Sequence, residues 1–295
     1  MSESSVGLRT KIATAADLQA MARTMKTVAA SNIGQYQHAV AALAQYDDAV
    51  QWTLAVCLRN LPSAAPGPTV PDGPVGAVIF GSDQGLAGQF NETICAYALD
   101  VKTAPAGLSV VWPVGERIAQ CLAGSPLDSR RVLGTQLRLP TAVDAIAALV
   151  GQLVVEIEAS RARGEIEQVY VFHHRPDVGV LYQPAMQRLL PLDDAWVRAL
   201  LRKVWPRRTV PQALPGEESM LTAAVQEYLF VSLYRACAES LASENTARLA
   251  AMQRAERNIG ELQQQLKQTF HRQRQGAIDA ELFDLVSGFE TLGAP

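Results

Sequence analysis

The stretch GSDQGLAGQF, residues 81–90, places three glycines directly after the apolar run VGAVIF. Glycines that follow a buried strand are typical of phosphate-binding loops, because they let backbone N–H groups approach the ligand. The glycines here, at 81, 85 and 88, do not fit GxGxxG, and no Gly-Lys pair followed by Ser or Thr marks a P-loop. Asp100, the acid at the expected distance, precedes the second predicted strand. We therefore interpret the loop as a turn with an exposed polar contact surface.

Cysteine and histidine side chains are the other candidates for metal binding or catalysis. The four cysteines, at 57, 95, 121 and 237, are too scattered for zinc clamps or a CxxC redox pair, and we interpret them as buried thiols. His173 and His174 end a predicted strand without carboxylate neighbours in the local sequence, which favours a loop over a metal or catalytic pair. We predict no catalytic residue, no metal and no cofactor.

The composition restricts the classes of partner. The 295 residues are 48% hydrophobic, enough for a sizeable core, and carry a formal net charge of -3. This charge gives no overall basic field for nucleic acid. No apolar run approaches the ~18 residues that a membrane span requires, so we expect no direct insertion into the bilayer.

Proline divides the chain into three parts, because fifteen of the sixteen prolines lie between Pro62 and Pro215. Proline inside a helix costs ~3 kcal/mol, so the proline-free flanks permit two very long helices. Two segments rich in proline and glycine separate these flanks from the middle. The predicted division is an N-terminal coiled-coil helix at 1–61, a linker at 62–74, a Rossmann-like α/β domain at 75–205, a linker at 206–216 and a C-terminal coiled-coil helix at 217–295.

The N-terminal flank shows apolar residues at steps of three and four from Met21 through Met25 and Val28 to Leu61. The mean step is near 3.6, which predicts one stripe along an almost straight helix. The C-terminal flank has a similar stripe, which includes Leu249, Met252 and Leu262. Neither helix can bury its stripe alone, so we expect the two to pack as an antiparallel pair, with the longer C-terminal helix overhanging by about 30 Å.

The middle alternates short apolar runs with amphipathic stretches. Runs at 75–80, 108–114, 131–139 and 168–174 predict strands, with a further one within 179–192, and 91–102, 116–124 and 141–164 predict helices. This alternation predicts a parallel-type sheet with helices packed against it. The fold class is therefore α/β, a long antiparallel two-helix coiled coil plus a central Rossmann-like domain.

The glycine loop and both flanks resemble one protein family. GSDQGLAGQFNETI resembles the SDRGLCGGLN signature of the gamma subunit of F-type ATP synthases. LRTKIATAADLQAMARTMKTVAAS near the N-terminus, and LASENTARLAAMQRAERN and RQRQGAIDAELFDLVSG near the C-terminus, are similar to the corresponding segments of that family. Gln84 and Ala87 replace an arginine and a cysteine of the signature, which indicates a divergent branch of these ATPases.

The resemblance implies a central rotor stalk that couples ion flow through the membrane c-ring to ATP synthesis or hydrolysis at the beta subunits. The implied partners are the alpha and beta subunits of the catalytic head, the epsilon subunit and the c-ring. The implied location is peripheral, at the cytoplasmic face of the inner (plasma) membrane. Such a subunit performs no catalysis of its own.

The resemblance also implies which residues contact the alpha/beta head. Met25 falls at the position facing beta, and Arg274 and Gln275 fall at the pair that hydrogen-bonds to a beta loop. Residues 245–275 carry six basic residues against two acidic ones, a collar that suits acidic loops. The expected contacts are Arg9, Lys11, Arg23, Met25, Lys26, Ser82, Asp83, Gln84, Arg254, Lys267, Arg272, Arg274, Gln275, Leu285 and Phe289.

Two other hypotheses remain open from the sequence. A coiled-coil scaffold with a Rossmann-like domain and no catalytic activity would form a stable homodimer without partners. An enzyme with a helical dimerisation arm would bind a nucleotide through residues 70–205.

Overall fold

The computed structural model describes residues 5–60, 73–100, 108–125, 127, 131–132, 137–177, 179–205 and 217–292. Two long helices dominate the chain, α1 at Ser5–Asn60 and α6 at Glu217–Leu292. The contacts divide the chain into two compact units, residues 1–29 with 248–295 and residues 30–247. Both helices therefore contribute to both units. We call the first the two-helix unit and the second the sheet unit.

The sheet unit contains a five-stranded sheet. Its strands are β1 at Val75–Phe80, β2 at Leu108–Val114, β3 at Arg131–Val132, β4 at Gln168–Arg175 and β5 at Gln183–Leu190, in the order β3-β2-β1-β4-β5. The first four strands are parallel and β5 is an antiparallel edge strand paired with β4. The predicted parallel-type sheet is confirmed for β1 to β4. Parallel neighbours require crossovers, and the predicted helices occupy them.

Four shorter helices accompany the sheet: α2 at Phe90–Leu99, α3 at Glu116–Leu122, α4 at Ile146–Ala162 and α5 at Asp194–Arg202. A single turn of 3₁₀ helix, Val143–Ala145, precedes α4. Of the predicted strand at 131–139, β3 covers Arg131 and Val132, Leu137 forms an isolated bridge with Val114, and residues 133–136 lie outside the described ones. The sequence interpretation missed α5, whose N-cap Asp193 accepts a hydrogen bond from the backbone N–H of Trp196.

The sheet has a core on each face, because successive strand residues point to opposite sides. Val75, Ala77 and Ile79 pack with α2 and α3 on one face. Val78 and Phe80 pack on the other face with α4 and with residues from Leu229 to Ala242 of α6. A third cluster joins α1 at Val50–Cys57 to α5 and to the start of α6. Residues 240–245 of α6 are all buried, as expected for a helix segment enclosed by protein.

In the sheet unit α1 and α6 run antiparallel. Asn32 contacts Asn245, whereas further along α1 Asp47 pairs with Arg235 and Tyr46 donates to Glu227. The later contacts of α1 are thus with earlier residues of α6. The predicted stripe is confirmed in this part of α1 at Tyr36, Val50, Leu54 and Cys57, which are buried.

The two-helix unit is also antiparallel, but its contact seam differs from the predicted stripe. The buried residues of α1 here recur every seven positions, at Leu8, Ala15, Ala22 and Ala29. Met21 and Val28, which the stripe placed inside, are 57% and 53% exposed. The expectation of a 3.6-residue stripe was therefore wrong in this segment. A heptad seam keeps facing a partner helix, and small alanines allow the two backbones to approach closely, whereas a pattern based on hydrophobicity favours the larger side chains.

On α6, the residues buried against α1 are close to those of the predicted apolar stripe. Met252 is buried, and Leu249, Ile259, Leu266 and Phe270 are half-buried. Leu262 is 50% exposed and its neighbour Gln263 is half-buried, so the prediction for Leu262 was wrong. Gly260 sits where a Cβ atom would come 3.3 Å from the side-chain nitrogen of Gln19, in keeping with the close approach of the helices.

Candidate partner-contact surfaces

Two basic residues predicted as partner contacts are engaged within the two-helix unit. Nε of Arg23 lies 3.2 Å from Oε1 of Glu256, and Nζ of Lys26 lies 2.6 Å from Oε2 of the same carboxylate. The hydrogen bonds from Lys26 and Arg23 hold the pKa of Glu256 below its usual value. Both cations thus join α1 to α6, and Arg23 keeps enough exposure to reach a second partner.

Met25 is half-buried beside this ion-pair cluster. The outer face of the same helix carries large apolar side chains that the alanine seam leaves in solvent: Val6, Leu18, Met21 and Val28 are all at least half exposed. The sequence interpretation missed Val6 and Leu18 as surface residues. A heptad reading that placed alanine inside would have found them, since residues opposite a seam face outward.

The predicted basic collar is spread along the exposed surface of α6. Arg254, Lys267, Arg272 and Arg274 are exposed, as is Gln275. On α1, Arg9 and Lys11 are exposed as well, and the Arg9 guanidinium lies 5.2 Å from the ring centroid of Phe270. On α6, the side chains of Arg254, Arg257, Lys267, Arg272 and Arg274 are thus exposed to solvent, where acidic groups on another molecule can approach them.

The end of α6 carries exposed apolar residues. Ile278, Leu282, Phe283 and Leu285 are 50% to 76% exposed. Every described side chain from Arg274 to Leu285 is exposed, which agrees with the expected overhang of the longer helix. Phe289 belongs to α6, but its side chain lies outside the described ones. An apolar stretch of this size on a protein surface is typical of a binding site.

The glycine loop is built around a hydrogen-bonded turn. The backbone N–H of Ser82 donates to Oδ1 of Asn91 at 2.9 Å, and Nδ2 of Asn91 donates to Oγ of Ser82 at 2.8 Å. The Ser82 hydroxyl donates to the carbonyl of Gln84 at 2.9 Å. Ser82 has no exposed surface, so its side chain stabilises the loop and is not available to a partner in this conformation.

Asp83 connects the loop to two other segments. One carboxylate oxygen accepts the backbone N–H of Glu116, in the first turn of α3, at 2.9 Å, and the other accepts that of Leu139 at 3.0 Å. A carboxylate at a helix N-terminus satisfies an otherwise unpaired donor. Gln84 and Leu86 are exposed, and Leu86 adopts φ 67° at the tip of the turn. The part of this loop that another molecule could touch is therefore its tip.

The loop begins with glycine because a side chain at position 81 would clash with its neighbours. A Cβ atom there would lie 2.3 Å from Cβ of Ile118 and 2.7 Å from Oδ1 of Asn91. The glycine thus permits close packing of the loop on α3, and the backbone N–H groups of Gly81 and Ser82 are bonded within the protein. This arrangement favours a structural turn over a phosphate cradle.

The two histidines lie within β4, so the loop interpretation was wrong. His173 is buried, and its Nε2 lies 3.0 Å from Oε2 of Glu239 on α6, with Arg175 at 3.5 Å from the same oxygen. Nε2 of His174 contacts the carbonyl of Phe90 at 2.8 Å, and burial lowers the pKa of His174 to about 4. The carboxylate neighbour is 66 residues away in sequence, so no local pattern could have revealed it.

The described residues contain neither a metal-binding cluster nor a membrane-crossing helix. Within these ranges, no group of three or more His, Cys, Asp or Glu side chains is placed to hold a metal ion. None of the helices, over the same residues, combines the length and apolar character of a membrane-crossing segment.

Comparison with known proteins gives a consistent result. The family model described as ATP synthase matches residues 5–292. The ATP synthase gamma chain of Granulibacter bethesdensis is 29% identical, with 97% of this chain and 98% of that protein covered. The gamma chain of Nitrosomonas europaea is 28% identical over the same shares.

Solved structures share the fold. The rotor of the Euglena gracilis mitochondrial ATP synthase in rotational state 1 matches with a TM-score of 0.59 at 14% identity, covering 92% of this chain and 98% of that one. A chain of the same synthase in rotational state 3 matches with a TM-score of 0.63 at 15% identity, covering 97% and 94%. Because the family model covers nearly the whole chain, the protein belongs to the ATP synthase family, in which its curated relatives are gamma chains.

Proposed function

We propose that the chain is the gamma subunit, the central rotor stalk, of an F-type ATP synthase. In this role it couples ion flow through a membrane c-ring to ATP synthesis or hydrolysis at the beta subunits. The observation that carries the proposal is the family match over residues 5–292, together with an antiparallel two-helix unit whose outer surface is accessible.

The two-helix unit has the properties that a rotating shaft requires. A shaft transmits torque only if it resists bending and if its two helices do not slide past one another. The heptad seam at Leu8, Ala15, Ala22 and Ala29 holds the helices close together. Glu256 binds both Arg23 and Lys26, which opposes sliding. One such asymmetric element among three catalytic sites presents a different face to each, and coupling between distant sites needs a rigid element of this kind.

The proposed contacts with the alpha and beta subunits lie on three surfaces: the outer face of α1 around Met25, the basic collar of α6, and the apolar end of α6. The collar ends in Arg274 and Gln275, which are exposed and suited to acidic or amide partners. From the glycine loop we propose Gln84 as the accessible contact and assign Ser82 and Asp83 to holding the loop in place.

The remaining partners follow from the proposed role. We propose that the epsilon subunit and the c-ring bind the chain, and that the complex holds it peripherally at the cytoplasmic face of the inner membrane. The proposed contact with a c-ring is supported by the fold shared with a solved structure from Tetrahymena thermophila, which is described as the central stalk and c-ring of its mitochondrial ATP synthase and matches at a TM-score of 0.55 and 22% identity.

Co-expression with alpha and beta subunits tests the proposal. The expected product is a complex with one copy of this chain per three alpha–beta pairs, measured by native mass spectrometry. A complex with three copies, or a stable homodimer that does not bind alpha and beta, would overturn it. The homodimer would favour the scaffold hypothesis. Saturable nucleotide binding by the isolated chain would favour the enzyme hypothesis.

A further inference from the structure

Cys95 and Cys121 lie side by side although 26 positions separate them in the sequence. Cys95 is on α2 and Cys121 is on α3, and both belong to the core cluster on one face of the sheet. The Cys95 thiol donates to the backbone carbonyl of Cys121, with Sγ 3.5 Å from the oxygen.

The other two cysteines provide an internal comparison. Cys57 packs in the cluster between α1, α5 and α6, and Cys237 packs in the large core between α4, α6 and the sheet. Each is buried, and neither shares its cluster with another cysteine. Among the four cysteines, the fold brings these two alone into one cluster, and they come from different helices.

The two neighbouring thiols differ in accessibility. Cys95 is 5% exposed, whereas Cys121 is partly exposed. Burial, followed by the hydrogen bond to Cys121, raises the pKa of the Cys95 thiol to about 12. Cys95 therefore stays protonated at neutral pH. An oxidant from solvent reaches Cys121 first, and Cys95 is placed directly behind it.

We propose that Cys95 and Cys121 are a reversible redox pair that forms a disulfide on exposure to a peroxide. The pair has the arrangement of a reacting thiol and a resolving thiol, one accessible and one buried beside it.

The chemistry balances in two steps. The Cys121 thiolate attacks one oxygen of the peroxide, the O–O bond breaks, and Cys121 becomes a sulfenic acid while hydroxide leaves and is protonated to water. The Cys95 sulfur then attacks the Cys121 sulfur, an S–S bond forms, and the sulfenic oxygen leaves as water with the Cys95 proton. Two thiols are oxidised to one disulfide and one peroxide is reduced to two waters. A dithiol reverses the reaction by thiol–disulfide exchange.

The link would act on the segment that holds the glycine loop. Asn91, in the first turn of α2, bonds to Ser82, and Asp83 bonds to the first turn of α3. A covalent bond between α2 and α3 would therefore restrict both anchors of that loop. This inference does not depend on the proposed rotor function, because it rests on the geometry of the sheet unit alone.

Peptide mapping of the full chain tests whether Cys95 and Cys121 form a disulfide. Where the chain is bound to alpha and beta subunits, the whole complex is used. The folded protein is treated with hydrogen peroxide, and free thiols are then blocked with N-ethylmaleimide before trypsin digestion. Cleavage after Lys and Arg places Cys95 in residues 60–102 and Cys121 in residues 118–130, which are separate peptides. The expected product is one cross-linked species joining these peptides, lighter by two hydrogen atoms than their sum and lost on addition of dithiothreitol.

Two variants separate the roles of the thiols. Cys95→Ser should abolish the cross-link and leave Cys121 as a sulfenic acid that dimedone traps. Cys57→Ser, a matched control at a cysteine outside the pair, should keep the cross-link. The proposal is overturned if folded wild-type protein, verified by circular dichroism, gives no peptide joining Cys95 to Cys121, or if Cys57→Ser removes that peptide. The wild-type measurement alone decides the matter should a variant fail to fold.

Discussion

Nζ of Lys26 on α1 lies 2.6 Å from Oε2 of Glu256 on α6. Arg23, one turn earlier on α1, reaches the other oxygen of the same carboxylate. One acidic side chain thus joins two cations across the two-helix unit. The predicted basic contacts of the N-terminal helix have an intramolecular role as well as the proposed intermolecular one.

Glu256→Gln should make the two-helix unit less stable at neutral pH. The two cations lower the pKa of Glu256, so the stability that it contributes is present above the ordinary value of 4.5 and is lost as the pH falls through the lowered value. The melting temperatures of wild type and variant should therefore differ at neutral pH and converge below the folded-state pKa. Glu261→Gln, at an exposed glutamate of the same helix, is the matched control. Equal effects of both variants at neutral pH would contradict the assignment.

Ala22→Leu should destabilise the two-helix unit by ~1–3 kcal/mol, because extra methylenes in a closely packed seam force the helices apart. Ala22 is 5% exposed, whereas Ala20 on the same helix is exposed. Ala20→Leu is therefore the control, and its effect should stay within about 0.5 kcal/mol. Chemical denaturation followed by circular dichroism measures both. An equal change at the two positions would argue against the alanine seam.

Asn91→Ala should lower the free energy of unfolding of the sheet unit by ~1–3 kcal/mol, because it leaves the buried N–H of Ser82 without its acceptor and removes the hydrogen bond that the Ser82 hydroxyl accepts. Gln89→Ala changes an exposed side chain in the same loop and serves as the comparison. Urea unfolding monitored by tryptophan fluorescence reports on this unit, since Trp112 lies in its core. A neutral Asn91→Ala variant would mean that the turn does not depend on this pair.

His174→Gln should reduce the sensitivity of the sheet unit to mild acid. Burial lowers the folded-state pKa of His174 from 6.5 to about 4, so the unfolded chain takes up the proton first and stability falls as the pH drops between these values. One such group contributes a slope of at most about 1.4 kcal/mol per pH unit. The free energy of unfolding of the variant should have a shallower slope in this range.

The surroundings of His174 define the control for that experiment. His173, Glu239 and Arg175 lie nearby, and their contributions are common to wild type and variant. His38→Gln, at an exposed histidine of α1, is the matched control for the change of residue type. Identical slopes for wild type and His174→Gln would show that His174 is not the group responsible.

The double variant Arg274→Ala with Gln275→Ala should weaken assembly with the alpha and beta subunits without changing the stability of the chain itself. Both side chains are exposed, and an exposed ion pair contributes ~0.2–1 kcal/mol. The loss should be larger at low ionic strength, because salt screens such contacts. Titration of the chain into alpha–beta complexes measures the affinity, and Gln268→Ala is a control at another exposed position of α6. Unchanged affinity at low salt would remove this pair from the proposed surface.

Much of the architecture could be predicted because it depends on local properties of the chain. Absence of proline predicted the two long helices, which the structure has at Ser5–Asn60 and Glu217–Leu292. Short apolar runs predicted β1, β2 and β4 to within a residue or two. The domain boundaries stay a prediction, since the two compact units divide within the helices, at 29/30 and 247/248.

The residues of the sequence alone established that the chain contains two long helices around an alternating α/β segment, because helix termination and hydrophobic periodicity act over a few neighbouring positions. Only the tertiary structure decided which face of each helix is buried and which distant groups meet. It placed alanines, not methionine and valine, in the seam of α1, and it brought Glu239 to His173 and Cys121 to Cys95. Close approach of backbones and pairing across tens of residues depend on shape in three dimensions, and no local pattern encodes them.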